Sequence, residues 1–126
     1  MTASRKKDTK VTSTRILRTR AARPGGESDQ EFWGGLIRLH ILHHAAQEPV
    51  FGLWLIEELQ RHGYRIGPGT LYPILHGLEE RGLLRSTTQP EGRAVRRMYS
   101  ATAQGRRTLK RAKSKVRELF GEILED

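Results

Sequence analysis

The 126 residues suffice for one small domain with a modest core and are too few for a large enzyme with a deep enclosed cleft. Cysteine is absent, which excludes disulfide frameworks, zinc ribbons and thiol nucleophiles, and no apolar run approaches the ~18 residues of a membrane span. Lysine and arginine outnumber aspartate and glutamate by 23 to 14, and the net charge of +9 points to a polyanionic partner, most simply nucleic acid.

That charge is unevenly placed. Residues 1–23 carry Arg5, Lys6, Lys7, Lys10, Arg15, Arg18, Arg20 and Arg23 against Asp8 alone, a net +7. Val11, Ile16 and Leu17 are too few apolar groups to form a core, so residues 1–28 are read as a disordered basic arm, with Pro24-Gly25-Gly26 as its hinge. An arm along DNA phosphates, a solvated tail without a role and an organelle transit peptide all fit this composition; a secretory signal does not, for want of an apolar segment.

The predicted elements follow in order. Residues 29–47 read as a helix with Asp29 as N-cap, and Trp33, Leu36, Ile37, His40, Ile41 and His44 recur at helical spacing. Leu39, Leu42 and Ala46 widen this face, which predicts burial on most sides, and Pro49 ends the helix. Residues 51–62 form a second helix with Leu55, Ile56 and Leu59 inward and Gly63 as its stop. A third covers residues 68–81, starting at Pro68 and burying Leu71, Ile74, Leu75 and Leu78. The period then changes to strands at 83–88 and 95–101 around a turn at 89–93, whose Pro90 and Gly92 are turn formers. Thr102 caps a last helix running to Leu124, with Leu109, Ala112, Val116, Leu119 and Ile123 stepping by three and four and Phe120 and Leu124 widening the stripe.

This order predicts a mainly α fold with a small β-hairpin: a winged helix-turn-helix over residues 29–101 and a C-terminal dimerisation helix over 102–126. In such a fold the third helix enters the major groove and the hairpin follows the backbone or minor groove. Pro68, Gly69 and Thr70 open that helix, where unpaired N–H groups and the positive dipole end favour a phosphate. Gly69 permits close backbone approach, Thr70 and Tyr72 supply hydroxyls, and Pro73 removes a backbone donor just behind them. Tyr72 packed in the core with only its hydroxyl wet is the alternative. In the hairpin, Arg93, Arg96 and Arg97 cluster on a nearly neutral folded domain, which favours phosphate or minor-groove contact over a merely solvated surface.

The blocks Phe51-Gly52, Pro68-Gly69-Thr70-Leu71-Tyr72-Pro73-Ile74-Leu75 and Leu78-Glu79-Glu80-Arg81-Gly82-Leu83 closely resemble the PadR family of bacterial transcriptional regulators. Tyr99 followed by Thr102-Ala103-Gln104-Gly105 is similar to that family's exit from the wing, and the likeness spans residues 32–124. The resemblance implies a homodimeric repressor of the short subfamily, bound to a palindromic operator and modulated by a small ligand, with Thr70, Tyr72 and Pro73 on the DNA face. Where the family more often has Ser, this chain has Gly67, which deletes one phosphate-binding hydroxyl.

The terminal stripe can fold back on its own domain or pair with a second chain; helices one to three leave it little to cover, which favours dimerisation through Leu109, Ala112, Val116, Leu119, Phe120 and Ile123. Two recognition helices would then lie ~34 Å apart. His40, His43 and His44 sit together on helix one, with His40 and His44 at metal-binding i,i+4 spacing and Glu48 four residues further. Ile41 stands where the hydrolytic motif has Glu, so hydrogen-bonded neutral imidazoles are favoured over a metal site. His62 and His76 are read as surface residues. Trp33 and Trp54 are candidate linings for an effector, either a small molecule or a transition metal, with core or surface packing as the favoured alternative; no cofactor is required. The expected protein is a cytoplasmic, nucleoid-associated regulator acting on double-stranded DNA and not at a membrane. A winged-helix adaptor is the alternative, though it would not need the hydroxyls and arginines. No nucleophile–base pair or phosphate-cradling loop supports an enzyme.

Overall fold

The computed structural model describes residues 27–125; residues 1–26, and with them the basic arm and its Pro24-Gly25-Gly26 hinge, lie outside the described residues. Helix α1 spans Glu27–Gln47. Asp29, read as the N-cap, therefore lies within the helix and not at its start. Ile37, Ile41, Leu42 and Ala45 turn into the core, whereas Phe32, Trp33 and Leu36 stay exposed. The expectation of burial on most sides thus holds only for the second half of α1.

After Pro49, Val50–Phe51 form a two-residue strand, β1. Helix α2, Gly52–Arg61, follows directly and buries Leu55, Ile56 and Leu59. Its exit is a Schellman turn: Gly63, at φ +93°, donates to Gln60 O at 2.9 Å, and Tyr64 donates to Leu59 O at 3.0 Å. Helix α3, Pro68–Glu80, ends the same way, with Gly82 at φ +79° donating to Glu79 O and Leu83 to Leu78 O. Leu71, Leu75 and Leu78 face the core.

Strands β2, Leu84–Glu91, and β3, Ala94–Ala101, form a hairpin in an antiparallel sheet of order β1-β3-β2. The hairpin is longer and its turn tighter than the sequence predicts. Glu91 pairs with Ala94, so the loop is Gly92-Arg93 alone, with Gly92 at φ +62° in its first position. Pro90, read as a turn former, is a strand residue opposite Val95. β2 is an edge strand, where a residue without an N–H costs little.

Helix α4, Ala103–Leu124, is capped by Thr102, whose Oγ1 accepts from Gly105 N at 2.9 Å and donates to Gly82 O at 2.6 Å. Thr102 N also donates to Leu83 O, and a Cβ on Gly105 would collide with that same carbonyl. Arg106 reaches across to Ala46 O at 2.7 Å. The start of α4 is therefore fastened to the exit of α3 and to the end of α1. Among the described residues no helix is long and apolar enough to cross a membrane.

Candidate nucleic-acid interface

Helix α3 has one buried face and one open face. Leu71, Leu75 and Leu78 anchor it, leaving Pro68, Gly69, Tyr72, Pro73 and His76 exposed and Thr70 half-buried. Gly67 is the N-cap and offers no side-chain bond, while its carbonyl accepts from Thr70 and Leu71. Pro73 sits inside the helix and has no N–H, so the carbonyl of Gly69 lacks its usual i+4 donor at the exposed end. Tyr72 is 38% exposed and is not a core residue. Its phenol lies on the backbone of Gly52 at the start of α2.

The three wing arginines do not form one cluster. Arg93 occupies the exposed turn. Arg96 and Arg97 are adjacent in a strand and so point to opposite faces. The Arg96 guanidinium stands 3.8 Å over the Phe51 ring and is paired with Glu91. Arg97 donates to Ser86 Oγ at 3.2 Å, and Ser86 Oγ donates to the Glu79 carboxylate at 2.7 Å. That chain links the wing to the last turn of α3. Glu91 and Ser86 carried no signal in sequence, and Gly52 and Glu79 entered only as members of family-like blocks, because each acts through a long-range contact; the opposite facing of Arg96 and Arg97 was available from the period of two.

The terminal stripe divides. Leu109 is buried in the protein's own core and Ala112 is half-buried, so the first turns of the predicted dimer stripe are used internally. Val116, Leu119, Phe120, Ile123 and Leu124 remain exposed.

The histidines join a different group from the one expected. His40 packs on His62 and Tyr64, with ring centroids 4.9 and 5.4 Å away. His44 lies 3.5 Å from the Glu58 carboxylate and edge-on to Trp54, and His43 turns toward Gln47. His44 stacks beside His40 at 6.4 Å and meets His43 edge-on at 5.0 Å between centroids, yet among the described residues no set of three or more His, Asp or Glu is arranged to hold a metal ion. Glu48 is exposed and outside the group. His62 is exposed, as read from the sequence, and also meets Glu58 at 3.0 Å. Glu58 is the buried carboxylate at the centre, and its ion pair with Arg61 holds it below the usual carboxylate range against the opposing effect of burial. Burial pushes His40 and His44 down; neighbouring imidazoles add to this, and Glu58 opposes it. The tryptophans are placed differently: Trp54 packs against the core, while Trp33 stands edge-to-face with Phe32 at the exposed end of α1.

The chain matches the transcriptional regulator PadR-like family over residues 41–111. It is 50% identical over 95 residues to the transcriptional regulator Rv3488 of Mycobacterium tuberculosis, spanning 75% of this chain and 89% of that one. Among solved structures it resembles a PadR family transcriptional regulator of Eggerthella lenta at 30% identity and TM-score 0.68, over 78% of this chain and 87% of the other. A PadR-like regulator of Bacillus cereus aligns at 25% identity and TM-score 0.63, over 76% and 98%. With the motif, the wing and these relatives in agreement, the chain belongs to the PadR-like family of transcriptional regulators, proteins that act on DNA and are not enzymes.

Proposed function

We propose that this protein is a ligand-responsive repressor that binds a palindromic operator as a homodimer in the cytoplasm. The observation that carries the reading is the division of labour between two helices. α3 buries Leu71, Leu75 and Leu78 and leaves Gly69, Tyr72 and Pro73 open at one end. α4 buries Leu109 and leaves a continuous apolar face from Val116 to Leu124 uncovered. A face of that size on a charged helix favours a protein partner over water. Charge supports a second copy as the partner: α4 is basic through Arg117 and acidic from Glu118 onward, so two copies laid antiparallel set unlike charges against each other. Twofold symmetry then matches a palindromic site. The effector is a small molecule, with exposed Trp33 and Phe32 on α1 as the candidate contact.

The test is a gel shift on the DNA upstream of the protein's own gene, with wild type and a folded Tyr72→Ala variant. The wild type should retard that fragment over random duplex, and Tyr72→Ala should lose the preference while remaining dimeric. A folded variant of undiminished affinity would remove α3 as the reading element.

A further inference from the structure

We infer that Phe51 and Gly52, at the junction of β1 and α2, are positioning residues for both DNA-contacting elements. Gly52 seats the Tyr72 phenol and Phe51 holds the Arg96 guanidinium. The inference rests on the reading of Tyr72 and the wing as DNA contacts and adds what aims them.

Gly52 is the buried first residue of a helix. Its backbone does not explain the choice, since the described glycines with positive φ are Gly63, Gly82 and Gly92. Space does explain it. A Cβ on Gly52 would fall onto the Tyr72 hydroxyl, and would lie 2.6 Å from Cζ and 2.8 Å from Cε1 of the same ring. The phenol is thus held against bare backbone while 38% of Tyr72 remains exposed. A ring held in place before binding loses less rotamer freedom when DNA arrives.

Phe51 does the corresponding work for the wing. It pairs with Met98 in the β1–β3 ladder, which fixes its ring relative to β3. Arg96 lies on the same face of β3 as Met98, two residues away, and its guanidinium rests 3.8 Å over that ring with Glu91 on its other side. Because Phe51 and Gly52 are consecutive, a rotation of the wing against α3 must disturb one seat or the other.

The experiment is fluorescence anisotropy of the full chain on a labelled duplex from upstream of its own gene and on a random duplex of equal length. Gly52→Ala should lose roughly ten- to hundredfold on the specific duplex, the worth of one good base contact. In a Tyr72→Ala background the same change should cost nothing further, because the group it displaces is gone. If Gly52→Ala alone does not fold but Gly52→Ala/Tyr72→Ala does, with the affinity of Tyr72→Ala, the seat is equally established. A double variant that is unfolded, or that binds less well than Tyr72→Ala, makes the glycine a general packing residue and overturns the inference. Phe51→Leu should lower specific affinity roughly three- to fivefold with an unchanged salt slope, since Arg96 keeps its charge, and Phe51→Tyr should restore it. Wild-type affinity in Phe51→Leu overturns the second seat. Unchanged affinity in Tyr72→Ala itself refutes the interface reading, whereas loss in Tyr72→Ala without loss in Gly52→Ala refutes the seat alone.

Discussion

Replacing Phe120 by alanine should dissociate the proposed dimer without unfolding the protomer. Phe120 is 64% exposed and lies between Val116 and Ile123 on the uncovered face of α4. Full burial of a phenylalanine side chain is worth about 1.5–3 kcal/mol, so covering the exposed two thirds contributes about 1–2 kcal/mol per protomer. An isologous interface includes the residue from both chains, giving about 2–4 kcal/mol and a rise of roughly thirty- to thousandfold in the dimer Kd. The fold should survive, because α4 is anchored at its other end by Leu109, by Thr102 and by Gly105 against Leu83. Sedimentation equilibrium over a dilution series reads the Kd, with circular dichroism as the check on folding. Leu109→Ala is the contrasting control: being buried in the protomer, it should cost about 2–5 kcal/mol of stability at any protein concentration. A folded Phe120→Ala protein with wild-type Kd would show that the stripe is not the dimer seam.

Thr102→Ala removes an N-cap bond and a link to Gly82 O, and should lower unfolding free energy by about 1–2 kcal/mol in urea titrations. Acid should weaken the α1–α2 packing. His40 and His44 are depressed in the folded state, so their contribution is complete above the unfolded value of about 6.5 and is lost as pH falls below it. Glu58, also depressed, acts in the same direction in the carboxylate range. The urea midpoint should fall from pH 7 to pH 5, and His40→Gln should flatten that slope; a midpoint flat in pH contradicts the assignment. Deleting residues 1–23 removes eight basic side chains. With about half of them on phosphates at once, the slope of log affinity against log salt should flatten by roughly three to four units, at a nearly constant ratio of operator to random-DNA affinity.

What could be read in advance divides along a physical line. The helices were legible because burial imposes a 3.6-residue period, and Leu71, Leu75 and Leu78 display it directly. Both Schellman exits were legible through Gly63 and Gly82, since the left-handed position selects glycine. β1 was not, because two residues cannot show a period and Val50–Phe51 become a strand only through Tyr99 and Met98. Pro90 misled because its turn preference is local, while its tolerance in β2 depends on which strand lies at the sheet edge. The histidine group was half legible. Helical spacing joined His40 to His44, but Glu58 and His62 enter from α2, and only packing brings them together.

The connection between α3 and α4 constrains how the proposed effector could act. Gly82 and Leu83 close the Schellman turn of α3, and their carbonyls accept the hydroxyl and the amide of Thr102 at the start of α4. Gly105 packs on the Leu83 carbonyl with no room for a Cβ, so the two helices meet backbone to backbone. Side chains can change rotamer to absorb a displacement; a junction of main-chain bonds and a bare glycine has few alternative arrangements. A ligand at the exposed end of α1 or along the α4 stripe would therefore act less by bending α3 within a protomer than by turning one protomer against its partner. The α3–α4 unit then moves as a rigid arm, and the spacing between the two recognition helices becomes the quantity under control. On the proposed palindromic operator, affinity would depend steeply on that spacing, because both half-sites would have to be met one helical turn apart. Locking the dimer seam, and not stiffening α3, is accordingly the perturbation that should abolish effector response while preserving DNA binding.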